Sequence, residues 1–314
     1  MRVLLTGSNG MVGRNVLEQS RAGSVEVIAP SRRELNLLDA GAVSSFMQRV
    51  RPEAVFHTAG TVGGIQANMR EMSRFMVENA DMGRNVILGA LRAGVKKLVN
   101  LGSSCMYPRD HDGVLTEDML LAGELEPTNE GYAIAKNFSA RLCHYLNREN
   151  PGLMYRTLIP CNLYGRWDHY NDLERSHLMA ALVTKVEKAI ETGAREVTIW
   201  GTGTVRREFL YAGDLADCIW WTLENIEHVP DFANCGTGVD ATVTEYYETV
   251  AKAAGFTGRF VYDSTKPDGM KRKLMDVSKL RALGWTAKTD LRQGIAKTIE
   301  FFREHTAVVA VKNG

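Results

Sequence analysis

Three polar residues in this chain have the types and spacing of a proton-transfer group. Tyr132 and Lys136 stand four apart in GYAIAK, so on a helix both project from one face. An ammonium beside a phenol favours the phenolate, which predicts that Tyr132 gives and takes a proton near neutral pH. The spacing alone is common by chance. It gains meaning from Ser103, upstream in NLGSSCMYP, whose hydroxyl can bond a carbonyl oxygen. Ser, Tyr and Lys beside a nicotinamide make a ketone reductase or an alcohol dehydrogenase. Such an enzyme has no use for a thiol, yet Cys105 follows Ser103 by two residues. A lone cysteine after a strand is more often a small buried residue, and His177, entering a helix in RSHL, is more often structural.

A second group of residues reads as a nucleotide cradle. Gly7, Ser8, Asn9, Gly10, Met11, Val12 and Gly13 form GxxGxxG, after an apolar run and before a helical pattern. Glycines there allow a tight turn and a close approach of backbone to a pyrophosphate, and the helix N-terminus adds unpaired N–H groups. The second strand ends APSRR, without the acid that usually bonds an NAD ribose. Arg32 and Arg33 suit a 2′-phosphate instead, which predicts NADPH; the plain alternative is two solvated arginines. Asp39 either reaches the adenine edge or caps the next helix. No metal site is expected.

These residues need a frame, and the chain alternates short apolar runs with helical patterns. Strands are predicted at Arg2–Thr6, Val25–Pro30, Ala54–Ala59, Lys97–Leu101 and Tyr155–Pro160, with helices at Met11–Ser20, Ala40–Val50, Ala67–Gly94 and Thr128–Asn150. That rhythm implies α/β architecture: a Rossmann-type, doubly wound parallel sheet with ligands at the carboxyl ends of its strands. Leu101 and Gly102, closing the fourth strand, join the expected cofactor contacts. After Pro160 the rhythm changes to helices near 178–192, 213–227, 243–254 and 290–304, which reads as a smaller α/β substrate lobe. The predicted division is a nucleotide domain over 1–165, with a return of the chain to its sheet near 207–214, a substrate lobe over 166–305, and an aperiodic tail over 306–314.

Composition excludes other classes. The 314 residues are 45% hydrophobic and 24% charged, with a formal net charge of +1, so neither a nucleic-acid surface nor a membrane patch is expected. The apolar run Val3–Leu5 is too short for a signal peptide or a membrane span. Five cysteines, an odd number with no CxxC pair, fit a reducing cytoplasmic setting.

The chain resembles the extended short-chain dehydrogenase/reductase superfamily, and within it the GDP-L-fucose synthase family. The residues behind this are GSNGMVG, RRELNLLD, VGGIQAN, LGSSCMYP, EPTNEGYAIAK, NLYG, WGTG, REFL, CGTGVD and KPDG, spread from residue 1 to about 304. The resemblance implies inversion of C-3 and C-5 of a GDP-linked 4-keto-6-deoxy sugar, followed by reduction of C-4 with NADPH. Tyr132, Lys136 and Ser103 would then reduce, Cys105 would be the epimerisation base, and His177 its acid partner while also touching the cofactor. Pro160, Asn162 and Leu163 would lie along the nicotinamide. Asn162, Lys185, Trp200, Arg207 and Asp268 would line the sugar-nucleotide pocket; Trp200 stacks a base or is simply core. The resemblance also implies a homodimer through the long helices at 67–94 and 128–150, the first carrying a methionine-rich stripe. Two departures stand out: Asn9 where the family often has arginine, and Lys185 where arginine is common. The competing expectations are a reductase, with or without epimerisation, for a related GDP-4-keto deoxy or heptose sugar, and a non-catalytic nucleotide sensor on the same fold.

Overall fold

A computed structural model describes residues 1–111, 113–170, 176–266 and 270–312. Short apolar runs become strands buried on both faces, as expected when helices cover a sheet. β1 (Arg2–Thr6), β2 (Glu26–Ile28), β3 (Ala54–His57), β4 (Lys97–Leu101), β5 (Met154–Pro160) and β9 (Phe232–Cys235) form a six-stranded sheet in the order β2-β1-β3-β4-β5-β9. Every pairing in it is parallel. The helices α1 (Met11–Glu18), α2 (Ala40–Val50), α4 (Met72–Arg92) and α5 (Glu130–Glu149) connect its strands. Val3, Leu5, Phe56, Val99 and Leu158 fill one face of the sheet; Leu4, Val55, Leu98 and Tyr155 fill the other.

The remaining elements make a second lobe. β6 (Asn162–Tyr164), β8 (Arg206–Tyr211), β10 (Asp240–Thr242) and β12 (Arg272–Lys273) form a four-stranded sheet centred on β8, and β7 (Glu196–Trp200) pairs with β11 (Arg259–Asp263). α6 (Leu178–Thr192), α8 (Val243–Ala254) and the last helix, α10 (Leu291–Lys312), complete its apolar cluster, with Met179, Val183, Phe209, Tyr246 and Ile295 at the centre. α9 (Ser278–Ala282) lies between.

Three sequence expectations change. The predicted return near 207–214 does not reach the central sheet: that stretch is β8 and the first residues of the helix after it. Glu208, in the middle of β8, is fully buried and accepts the N–H groups of Thr237, Gly238 and Met275 at 2.6, 2.8 and 2.9 Å, which ties the strand to the second lobe. The chain rejoins the first lobe through α7 (Ala212–Glu224), whose Trp220 donates to Val16 O of α1, and then through β9. A strand-then-helix pattern is the same in either sheet, so the local sequence does not choose between them. The helix expected over 67–94 is two helices, α3 (Ile65–Arg70) and α4, broken at Glu71. Asn68 causes the early start: its amide donates to Gly63 O and Gly64 O and winds the VGGI stretch into α3. Residues 306–312, expected to be aperiodic, continue α10. Among the described residues no helix is long and apolar enough to cross a membrane, and no cluster of metal-binding side chains occurs.

Candidate active site

The cradle after β1 has the form a dinucleotide needs. Gly7 holds φ +75°, and a Cβ there would lie 2.6 Å from Ala59 N; one on Gly13 would lie 2.2 Å from Gly7 O. Neither position admits a side chain, so the β1–α1 turn stays flat against the end of β3. Gly10 begins α1 with no side-chain cap, and the first turn carries no acid. Its N–H groups are thereby left for an anion. Ser8 is buried and donates to Ala29 O; Asn9 is exposed, while Met11 and Val12 open the helix. Arg32 is exposed in the turn that follows β2. Its charge, after hydrogen bonds from Thr61 and Arg74, helps to hold the Glu78 carboxyl low. Asp39 caps α2 through Ala42 N–H at 2.9 Å, the second of its two predicted roles. These residues fit a dinucleotide with an extra phosphate near Arg32.

The reacting groups gather where β4 ends. Lys136 is buried on α5 and donates to Leu101 O at 2.9 Å, beside Gly102. One turn earlier, Tyr132 stands beside Ser103, which favours its ionised form, and Lys136 Nζ lies 5.7 Å from its ring centroid. Ser103 Oγ accepts the Cys105 N–H at 3.3 Å, which turns the chain so that Cys105 sits beside the same phenol. Asn129, entering α5, donates its amide to Cys105 Sγ at 3.2 Å. The phenol, the serine hydroxyl and the thiol thus stand together after β4.

Electrostatics corrects one expectation. Lys136 does not bring Tyr132 toward the phenolate in this structure. Burial, followed by the neighbouring Cys105, raises the phenol well above its usual range, and Ser103 only partly opposes this. Burial also pushes Lys136 down to about 8. Tyr132 therefore stands as a proton donor, the form that reduction requires. His57, on β3 and bonded to Thr6 Oγ1 at 2.9 Å, is pushed down to about 3 by burial and by Lys136, and is neutral.

The second lobe supplies the other predicted residues. His177 begins α6, and its Nδ1 lies 3.1 Å from Asp168 Oδ1. Burial pulls its pKa down, but the hydrogen bond and charge of Asp168 outweigh burial and leave it raised. Pro160 ends β5, and Asn162 and Leu163 begin β6, with the Asn162 amide donating to Glu208 O at 3.0 Å. Trp200 is 55% exposed, which settles its two readings against core. Lys185 Nζ lies 4.5 Å and Lys266 Nζ 5.8 Å from its ring centroid; Lys185 also donates to Thr198 O, and burial lowers its pKa. An exposed indole flanked by two ammonium groups is a surface for a base and its phosphates. Arg207 Nη1 is anchored on the carbonyls of Arg206 and Met270. Asp268 lies outside the described residues.

Sequence reasoning missed Asn129 and Asp168. Asn129 stood in the quoted EPTNEGYAIAK, three residues before Tyr132, a position one helical turn from the reacting phenol. Asp168 stood shortly after NLYG with no pattern to mark it.

Comparison with known proteins agrees with this geometry. The profile of the NAD dependent epimerase/dehydratase family matches residues 3–236. The chain is 50% identical over 302 residues to GDP-L-colitose synthase of Yersinia pseudotuberculosis, covering 96% of this chain and 98% of that one. It is 44% identical over 301 residues to GDP-L-fucose synthase of Azorhizobium caulinodans, covering 96% of each. Among solved structures, the GDP-mannoheptose C4 reductase of Campylobacter jejuni with NADP bound superimposes with a TM-score of 0.87 at 32% identity, covering 96% of this chain and 98% of that one. With a glycine cradle, a Ser-Tyr-Lys group and relatives matched end to end, this chain belongs to the NAD-dependent epimerase/dehydratase family.

Proposed function

We propose that this protein is an NADPH-dependent 3,5-epimerase and 4-reductase that converts GDP-4-keto-6-deoxy-D-mannose to GDP-L-fucose. The observation that carries the reading is the thiol of Cys105, which accepts the Asn129 amide at 3.2 Å beside the Tyr132 phenol, on a turn held by Ser103. A reductase alone needs the hydroxyls; only a proton abstraction beside the ketone needs a base there. The relatives named GDP-L-fucose synthase and GDP-L-colitose synthase support the substrate class.

The chain's residues divide the work as follows. Trp200, Lys185 and Lys266 hold the nucleotide, Arg207 pairs a phosphate, and Asn162 lies along the sugar. Ser103 and Tyr132 donate hydrogen bonds to the C-4 oxygen, so charge that develops there on enolisation is stabilised. Cys105, as thiolate, takes the proton from C-3, releases it to solvent, and then takes the proton from C-5, and the Asn129 amide stabilises the anionic sulfur. His177 returns a proton to the opposite face. Gly7 to Gly13, Arg32, Leu101, Gly102, Pro160 and Leu163 hold NADPH, which supplies the hydride for C-4 when bound. Tyr132 then gives its phenolic proton to the C-4 oxygen, and Lys136 stays beside it to offset the resulting negative charge.

The same reading includes the protein's setting. Residues 1–165 other than β6 form the cofactor domain, completed by α7 and β9, and β6 with the rest of 166–305 forms the substrate lobe, in a cytoplasmic homodimer that binds no nucleic acid. Met69, Met72, Met76 and Val77 of α3 and α4, with Ile134 and Phe138 of the adjoining α5, are all exposed. Large exposed apolar patches mark contacts, and a two-fold axis would pair these helices with their copies. A monomer in sedimentation at micromolar concentration would refute the dimer. For the activity, the test is incubation with NADPH and each candidate GDP-4-keto sugar, followed by NMR of the product. NADPH oxidation with inverted C-3 and C-5 supports the reading; a 4-hydroxy product with neither centre inverted refutes the epimerase half; no oxidation refutes the enzyme.

A further inference from the structure

The turn after β6 is built in an unusual way. Gly165 has φ +133°, and Trp167 has φ +69°, a left-handed backbone that a bulky side chain rarely adopts. Four contacts hold it there. The Trp167 indole donates to Glu18 at 2.6 Å, the Arg14 guanidinium lies 4.2 Å from its ring centroid, Phe301 packs edge-on at 4.7 Å, and the Asn15 amide donates to Arg166 O. Arg14, Asn15 and Glu18 all belong to α1, so the turn is fastened to the cofactor helix.

The residue that this turn delivers is Asp168. Its side chain is 1% exposed. Oδ1 accepts the His169 N–H at 2.8 Å and faces His177 Nδ1 at 3.1 Å. Oδ2 is buried with no hydrogen-bond partner among the described residues. A buried carboxylate satisfied on one oxygen needs a neighbouring cation. The His177 side chain is 38% exposed, so its ring is reachable while Nδ1 is engaged.

We propose that Asp168 is the positioning residue of the epimerisation acid: it holds the Nδ1–H of His177, fixes the ring, and keeps a proton on Nε2 for delivery to the sugar. This rests on the epimerase/reductase reading above. The proton balance is simple. The imidazolium gives its Nε2 proton to the carbon opposite Cys105, becomes neutral, and keeps Nδ1–H on Asp168; solvent restores the Nε2 proton. With Nδ1–H held by Asp168, a neutral ring has only a lone pair at Nε2, so the acid works only while the ring is charged. The raised pKa of His177 agrees with this. Among the described residues, Asp168 is the charged group that meets the ring, and the first turn of α6 carries no acid. Tyr170 stands beside Asp168 and Tyr211 beside Tyr170, and burial raises both phenols, so they stay neutral.

A purely structural Asp168 would only brace the turn through His169, so the test must read His177 itself. NMR of protein carrying ¹⁵N-histidine gives the tautomer and the titration of His177. In wild type we expect Nδ1 to keep its proton in the neutral form and the ring to titrate above a free imidazole. In Asp168→Asn it should titrate at lower pH, because the carboxylate charge is gone, and Asp168→Glu should restore part of the shift. In parallel, inversion measured in D₂O at pH 8 should fall by roughly 10-fold to 10²-fold in Asp168→Asn and by less at pH 6, with NADPH binding retained. An unchanged His177 titration in Asp168→Asn would overturn the proposal. So would a wild-type ring that titrates at or below free imidazole, a result available even if the variant does not fold. Absence of deuterium at C-3 and C-5 in wild type would sink the epimerase reading instead, while the NMR result still decides whether Asp168 charges His177.

Discussion

Asn129→Ala isolates the claim that Cys105 is a base. The Asn129 amide is 3.2 Å from Cys105 Sγ, and a hydrogen bond to a charged acceptor contributes about 1.5–3 kcal/mol. Its loss should slow proton removal from C-3 and C-5 by roughly 10–100-fold. The fold should tolerate the change. Asn129 stands at the N-cap of α5, but its side chain does not cap the helix, and its Oδ1 is buried without a hydrogen-bond partner among the described residues. Truncation therefore removes an unsatisfied acceptor along with the donor. The assay is deuterium wash-in to the 4-keto sugar in D₂O without NADPH, which reads exchange before reduction. Single-turnover NADPH oxidation in the same variant should change much less, because Tyr132, Ser103 and Lys136 are untouched. A double mutant supplies the control. Cys105→Ser should nearly abolish exchange, since a serine hydroxyl is a far weaker acid than a thiol, and adding Asn129→Ala to it should cost nothing further. If Asn129→Ala exchanges within about threefold of wild type, or if the two losses add in full, the amide does not act through the thiol and the base lies elsewhere.

Three further outcomes follow from the same site. Arg32→Ala should lose about 1.5–3 kcal/mol of NADPH affinity with little change for NADH; equal losses in a titration of both cofactors would remove Arg32 as the discriminator. Tyr132→Phe should bind substrate normally but lower the hydride-transfer rate by roughly 10²–10⁴-fold in stopped-flow absorbance, and normal turnover would assign the proton to another group. Lys136, pushed down to about 8 by burial, loses its charge above that pH, so kcat/KM for reduction should fall as pH rises through it. Its folded pKa lies below the unfolded value near ~10.4, so the unfolded chain binds more protons between the two and stability should rise there with pH. Lys136→Met should thus be more stable than wild type at pH 7 in urea melts and lose that advantage by pH 10; an advantage independent of pH would show that packing, not charge, is responsible.

How much of this was legible in the sequence depends on the range of the interaction. Strand and helix alternation up to Pro160 is a local pattern, and the first five strands and their order of appearance follow from it. Gly7 and Gly13 were equally legible, because backbone approach leaves no alternative to glycine. The strand Arg206–Tyr211 was legible as a strand but not as a member of the second sheet. That choice is made by Glu208 and its backbone donors from Thr237, Gly238 and Met275, which are distant in sequence. The stripe on Met69, Met72 and Met76 was legible as an apolar face, expected to pair two copies, but its extent was not. Periodicity says that one face is apolar, not whether the same chain covers it, and here those three remain exposed while Val86 and Ile87 on the same helix run are buried.

The site shows the same limit at the scale of single side chains. Ser103, Tyr132 and Lys136 were readable because reduction demands those residue types on adjoining elements. Their protonation was not. The expected pull of Lys136 on Tyr132 assumed a solvent-like phenol, whereas the fold half-buries Tyr132 and buries Lys136, and desolvation raises the one and lowers the other. Cys105 was visible as a residue out of place in a reductase, yet the residue that makes its thiol useful, Asn129, is 24 positions away and carries no charge to draw notice. Asp168 is nearer to its partner, nine positions from His177, but helical spacing does not join them. A strained turn fastened to α1 does. Nucleophiles and acids are therefore read from composition, because chemistry restricts their types. The groups that set their charge are chosen by tertiary approach, where an amide or a carboxylate acts only if the fold brings it within hydrogen-bonding distance.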